Sequence, residues 1–364
     1  TEDLVIRYEA FRGCTGLTSF ELPARTTELG YSTAETSKGS VFYGCTKLTS
    51  FTLEKVTDEA TGEVKTSPIE TLYNKMFYNC SALTSVELPE TITALGNVYG
   101  STYSNSYSPF YGCKKLANMV IPDSVDTVQD YLFYNCSGLK SVTLSANMTE
   151  FPSNLFSGCT ALAEIKVSEG SKNFSSDEGV LYDNVKESLI FYPQAKTGTS
   201  YTLPSTVKTI KTGAMGRGSS DYPKNLTTLT LPKSVTTIEY RAFYYNKKLA
   251  TLTIPADGAL ESIAEEAFYN ATALKALNVP ASVEEIGKTA FRGCTALATL
   301  TFDDGSKTLS IGEYAFYGCS NTNFKTLKLP ARLSVLGGNS FNGCSKLTSV
   351  DMSSCGVQTI GASA

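Results

Sequence analysis

The feature that most constrains this chain is a phrase that recurs: an aromatic residue, Cys three places on, and often Leu three after that. It reads AFRGCTAL at 290–297, AFYGCSN at 315–321 and LFYNCSGL at 132–139. Aligned on the phrase, the anchors are Phe11, Phe42, Phe77, Phe110, Phe133, Phe156, Met215, Phe243, Phe268, Phe291, Phe316 and Phe341, twelve in all. The shortest interval, 23 residues, separates Phe110 from Phe133, Phe133 from Phe156, and Phe268 from Phe291. A period this short implies stacked turns, since one such unit cannot bury its apolar side alone.

The unit that starts at Phe268 shows how each turn is built. Leu277 and Val279 have strand period and point inward, with Ala276 and Asn278 on the opposite face. Pro280 lacks an N–H, so the strand stops there. Val283 and Ile286 then line a return path of short strands, turns or 3₁₀ pieces. No segment has the length and period of a long helix. The expected fold is a mainly β solenoid of about twelve turns. Its strands join a parallel sheet with neighbours about 4.8 Å apart, in a curved rod on the order of 60 Å long.

From Ile6-x-x-x-Ala10-Phe11 to Val357-x-x-Ile360-Gly361 the units resemble the BspA-like leucine-rich repeats, also called the Treponema pallidum type. The segment SSDEGVLYDNVKESLIFYP at 175–193 is similar to an insert common in that family. The resemblance implies a leucine-rich-repeat solenoid of a secreted or surface-displayed bacterial protein. It further implies adhesion, with host extracellular-matrix proteins among the partners.

Composition narrows the function from the other side. The chain has 364 residues, formal net charge −4 and no basic block, so nucleic acid is not an expected partner. It contains neither His nor Trp, and the lack of His removes the usual general base and the commonest neutral metal ligand. No spacing of the remaining groups marks a catalytic device. No enzyme activity, metal or cofactor is expected, and no apolar run approaches the ~20 residues that span a bilayer.

Nine of the ten cysteines occupy one position, three after the aromatic: Cys14, Cys45, Cys80, Cys113, Cys136, Cys159, Cys294, Cys319 and Cys344. Asn246 and Ala271 take that position in two neighbouring turns. Stacked identical positions have parallel Cβ vectors, which rarely meet the dihedral of a disulfide. The expectation is therefore a ladder of buried, reduced thiols, with Cys355 alone exposed.

Candidate binding surfaces follow from what departs from the period. Insertions of about eight residues before Phe42, about twelve after Leu53 and about ten before Phe110 fall in consecutive turns. The last, GNVYGSTYSNSYSPFYG at 96–112, carries Tyr99, Tyr103, Tyr107 and Tyr111 among small polar residues. That composition suits a partner-binding loop. A longer insert, 168–203, reads as a β-hairpin flap within one elongated solenoid spanning 1–364.

The outward strand positions form a second candidate, the concave sheet face, where Thr228, Thr230, Thr251, Thr253, Thr299 and Thr301 stand. Hydroxyls there also keep a wide sheet soluble, and aromatic or Arg anchors are lacking on that face. A third is the residue after the anchor, Tyr in many turns (Tyr43, Tyr78, Tyr111, Tyr134, Tyr244, Tyr269, Tyr317). Partial packing along the coil is expected for these rings. The functional expectation is a monomeric, extracellular protein- or glycan-binding module, with an architectural spacer as the alternative. The chain begins and ends in mid-repeat, so flanking caps or domains are expected beyond it.

Overall fold

Each turn begins with a strand, and about half of the turns leave it through a proline. In the computed structural model, which describes residues 2–32, 38–96 and 108–364, Ala276–Val279 pairs in parallel with Thr299–Phe302, Leu277 opposite Leu300 and Asn278 opposite Thr301. Pro280 follows, and its carbonyl accepts the Val283 N–H at 3.1 Å. The same closure recurs at Pro23, Pro122, Pro204, Pro232 and Pro330. Proline therefore stops the strand and opens the return turn. No helix occurs among the described residues.

The recurring phrase is a stacked double turn. Phe291 O accepts Cys294 N–H at 3.2 Å, and Cys294 O accepts Leu297 N–H at 3.0 Å. The chain bends this sharply because the residues two before and two after the aromatic are left-handed: Thr289 (φ 53°) and Gly293 (φ 75°) in this turn. Gly or Asn is the usual residue at the second of these sites, since both tolerate that region. A Cβ on Gly293 would also stand 2.0 Å from Asn270 Oδ1 in the turn before. Inside the bend the Phe rings stack from turn to turn, with centroids 5.5 Å apart for Phe42–Phe77 and 4.9 Å for Phe268–Phe291.

The cysteine column is a hydrogen-bonded ladder. Every thiol of the column after Cys14 donates to the carbonyl of the aromatic anchor one turn earlier: Cys45 to Phe11 and Cys80 to Phe42, both at 3.0 Å, through to Cys344 to Phe316 at 3.3 Å. Asn246 makes the same bond with its side-chain amide, Nδ2 to Met215 O at 3.1 Å. Polar Asn is accepted in a buried thiol slot because it reproduces the donor. All ten cysteines are free. Burial pushes the Cys294 thiol up to about 12. One expectation needs correction: Cys14 is exposed and Cys355 half-buried, because Cys14 lies in the first turn and has no earlier turn stacked over it.

Two compact units divide the chain, Thr1–Gly179 and Val180–Ala364. In the first, the strand row Ser19–Leu22, Ser50–Leu53, Ser85–Val86 is one sheet, and Asn118–Val120, Ser141–Leu144, Glu164–Val167 is another. The insertion after Leu53 is an antiparallel hairpin, Val56–Thr57 with Val64–Lys65. Its tip is held by Asp58, whose carboxylate accepts the Ala60 and Thr61 N–H groups and pairs with Lys65 at 3.2 Å.

In the second unit a row of return-path strands runs from Ser188–Phe191 through Thr209–Ile210, Thr237–Ile238, Ser262–Ile263 and Glu285–Ile286 to Thr359–Ile360. Val180–Asp183 pairs antiparallel with Ser188–Phe191, so the hairpin within 168–203 is a structural element of this unit. It is no flap. Val180, Leu181, Tyr182 and Leu189 are fully buried, and Tyr182 and Tyr201 share a hydroxyl hydrogen bond of 2.8 Å in the core. Ser200–Thr202 then pairs with Thr228–Thr230 as a turn that has no aromatic-x-x-Cys phrase. Turns of that kind raise the count to about 15 among the described residues, above the twelve anchors.

Candidate functional site

The residue after the anchor reaches the surface in most turns (Ser157 and Gly216 are buried), and the column it forms is chemically distinct from the rest of the surface. In the first unit it reads Arg12, Tyr43, Tyr78, Tyr111 and Tyr134. Tyr43 and Tyr78 stack with centroids 4.8 Å apart and planes 2° from parallel, and Tyr78 and Tyr111 at 4.3 Å and 5°. Tyr134 tilts by 44° against Tyr111, and the Arg12 guanidinium lies 4.8 Å from the Tyr43 centroid at the other end. Main-chain bonds hold the register, such as Gly44 N–H to Tyr78 O at 2.8 Å. All four rings are half-buried. Desolvation first, then the neighbouring Tyr111 and Tyr43, raises the Tyr78 phenol above its ordinary value. The expected partial packing of the tyrosines is what these rings do: their faces are used on one another.

The second unit fills the same column differently. Tyr244 and Tyr269 stack at 5.3 Å, but Arg292 replaces tyrosine in the next turn. Its guanidinium lies 5.7 Å from the Tyr269 centroid and 4.8 Å from that of Tyr317. Arg241 adds a second cation, 4.6 Å from Tyr244 and 4.8 Å from the exposed Tyr240, with its Nε on Glu266. Tyr245 stands against both Tyr244 and Tyr269, and Lys247 lies 5.4 Å from its ring. Arg and Tyr are the residues over-represented where interfaces concentrate their energy. Arg292 was legible as an exception in the Tyr column, but its partners Tyr269 and Tyr317 emerge only when turns stack.

The other sequence-derived candidates fall as follows. Tyr99, Tyr103 and Tyr107 lie outside the described residues. Tyr111 is described, and its ring is a member of the stack. On the strand face, Thr228 stands opposite Thr251 and Thr230 opposite Thr253, while Thr299 and Thr301 stand opposite Ala276 and Asn278. Thr251, Thr253, Thr299 and Thr301 are exposed and Thr228 and Thr230 half-exposed. Thr301 is already committed to Asn278 Oδ1 at 2.7 Å.

A groove of about 470 Å³ crosses the strand face of the first unit where Ser85–Val86 and Asn118–Val120 belong to separate sheets. Its walls include Val86, Leu88, Pro89 and Val120, with Lys55 and Glu87 at the rim. Glu87 is engaged by the Leu53 N–H at 3.3 Å. Among the described residues no group of three or more His, Cys, Asp or Glu side chains is placed to hold a metal. No described helix is long and apolar enough to cross a membrane.

Parallel strand rows, proline-closed turns and an inward Leu/Val/Phe core define a leucine-rich-repeat β-solenoid. The chain belongs to the BspA type of that class: the family model for the BspA type leucine-rich repeat region matches residues 4–99, 70–178, 187–321 and 261–364. That family is a repeat scaffold, generally non-enzymatic. Similar solved structures are bacterial leucine-rich-repeat proteins. One from Eubacterium ventriosum is 24% identical with a TM-score of 0.59, covering 86% of this chain and 84% of its own. A leucine-rich cell surface protein from Faecalibacterium prausnitzii is 21% identical with a TM-score of 0.54, covering 99% and 83%. The pneumococcal vaccine antigen PcpA is 21% identical with a TM-score of 0.55, covering 98% and 91%. At these identities the likeness is one of fold. The sequence matches no curated protein.

Proposed function

We propose that this chain is a recognition module of a bacterial cell surface, which binds a protein or glycan outside the cell without chemical transformation. The observation that carries the reading is the tyrosine–arginine flank of the second unit. There Tyr240, Arg241, Tyr244, Tyr269, Arg292 and Tyr317 are held in order by the solenoid and half-exposed or exposed. A purely architectural spacer has no use for arginines interleaved with aromatic rings on one flank. Surface display is supported by the cell-surface description of the Faecalibacterium relative in fold and by the pneumococcal antigen. The loop tyrosines Tyr99, Tyr103 and Tyr107 remain proposed partner contacts, on the ground of their setting among Ser, Asn and Gly in the sequence. The strand-face threonines are a secondary proposal.

The test is capture of host matrix proteins and glycans by the purified chain, repeated with Y269S/R292S and with Y99S/Y103S/Y107S. A partner that binds through the flank loses affinity by more than about 2 kcal/mol in the first variant. A chain that captures nothing, or whose captures ignore both variants, leaves the spacer in its place.

A further inference from the structure

At one end of the flank just described, three lysines from two consecutive turns come together. Lys247 and Lys248 precede Leu249, and Lys224 stands two residues before Leu226, the position that Lys247 occupies in the next turn. Stacking puts Lys224 within electrostatic reach of both Lys247 and Lys248. The backbone directs this: Lys224 N–H donates to Gln194 O at 2.8 Å, and Thr227 N–H and Ala250 N–H bond back to Thr199 O and Thr227 O. The Lys224 ammonium lies 3.6 Å from the Tyr222 centroid and also meets Ser220 O, while Lys247 rests on Tyr245.

Elsewhere in the unit several lysines face carboxylates of other turns. Lys208 meets Glu187, Lys211 meets Glu239, Lys233 meets Asp257, and Lys307 meets Glu261 and Glu284. Here the carboxylate nearest in effect is Asp221, which accepts from Gln194 Nε2 at 3.0 Å. Burial, with Lys247 and Lys248 acting against Asp221, holds the Lys224 ammonium below its ordinary value. An acidic chain of net charge −4 has thus gathered three like charges on one spot.

We infer that Lys224, Lys247 and Lys248 form a subsite for an anionic polysaccharide, to whose sulfate or carboxylate groups the ammonium groups donate and whose hydroxyls meet Ser220, Tyr222 and Tyr245. The inference rests on the recognition reading above and names a partner class for one end of that flank. Charge complementarity calls for a polyanion. The aromatic geometry selects among polyanions. Single-stranded nucleic acid binds by laying bases on open ring faces, but Tyr222 is covered by Lys224, Tyr245 by Lys247, and Tyr244 lies against Arg241 and Tyr269. A folded protein partner would seat apolar anchors in a pocket. The groups offered here are ammonium and hydroxyl, which a glycan uses.

The experiment measures binding of the whole chain to heparin, with neutral dextran, a single-stranded oligonucleotide and polyglutamate alongside. Heparin is expected to bind, dextran not, and the oligonucleotide and polyglutamate more weakly. K224Q/K247Q/K248Q is expected to lose about tenfold or more in heparin affinity, with a shallower dependence on salt as phosphate-like contacts are removed. K288Q/K307Q, which removes two lysines held in ion pairs, is expected to bind as before. Lys248 is exposed and Lys247 half-exposed, so K247Q/K248Q serves as the second variant if the triple change disturbs folding.

Unchanged heparin binding in both variants overturns the inference, as does an oligonucleotide or polyglutamate that binds as tightly as heparin. If heparin fails while a protein captured through Tyr269 and Arg292 is retained, the glycan subsite falls and the recognition reading stands. If nothing binds at all, both fall.

Discussion

The two units put the same column of the repeat to different use. In Thr1–Gly179 the residue after the anchor is tyrosine in successive turns, and Tyr43, Tyr78 and Tyr111 lie nearly parallel at 4.3–4.8 Å. Their faces are consumed by one another, so the column mainly adds cohesion between turns. In Val180–Ala364 the column alternates Tyr269, Arg292 and Tyr317 and is flanked by Arg241 and the Lys224 cluster. A guanidinium between rings carries charge and spare donors to the surface that a phenol cannot. One position in a repeat therefore serves packing or recognition, depending on whether its neighbours one turn away are of like or complementary chemistry.

The sharpest way to test that contrast is first to show that the cores beneath it are equivalent. Phe77→Ala in one unit and Phe268→Ala in the other each remove a fully buried ring stacked on both sides. Each is expected to cost about 3–5 kcal/mol in denaturant unfolding. A much smaller cost in the first unit would mean that its tyrosine stack carries stability assigned here to the core.

Alkaline titration comes next in size. The Cys294 thiol has a folded-state pKa of about 12 against an ordinary 9.0, so the folded chain keeps a proton that the unfolded chain gives up. Its contribution is intact below pH 9 and is lost as pH rises from 9 to 12, at about 1.4 kcal/mol per pH unit for this group. Cys294→Ala is expected to flatten that part of the stability profile, since Ala271 already fills the equivalent slot one turn earlier. A profile unchanged by the substitution would show that other groups govern alkaline unfolding.

Tyr78→Ala and Arg292→Ala set the two columns against each other directly. The first is expected to cost about 0.5–1.5 kcal/mol of stability through lost stacking and to leave partner capture by the second unit unaffected. The second is expected to cost under about 1 kcal/mol of stability and to weaken capture. Reversal of this pattern, scored by calorimetry and by binding, would assign recognition to the tyrosine stack.

The smallest effect is chemical. Native thiol labelling is expected to modify Cys14 rapidly and Cys355 more slowly, while the buried ladder reacts only after denaturation. Rapid labelling of Cys136 or Cys319 would show that the turns open locally.

How much of this was legible depended on whether a signal repeats. The anchor, the Cys three residues later and the Leu after it recur often enough to reveal both the period and the inward face. Pro280 and its equivalents placed strand ends correctly, because a missing N–H acts locally. The cysteine column was readable as thiols and not bridges, since Asn246 and Ala271 interrupt it. The hydrogen bond from each thiol to the previous anchor's carbonyl was not readable, because it joins residues 26 to 38 positions apart. The 168–203 hairpin was recognisable as strands, yet its burial was missed. Strand period alone does not say which neighbour covers Val180 and Leu189.

The sequence by itself determined the period, the inward ladders of Phe, Leu and Cys, and the breaks between turns, because each is a local pattern that every turn repeats under the same packing demand. Only the tertiary structure decided which surface residues share a patch. Lys224 and Lys247 stand 23 residues apart, and Tyr269 and Arg292 likewise. Each pair becomes adjacent only when one turn lies on the next, and the charge and stacking that define a binding surface arise between turns rather than within them.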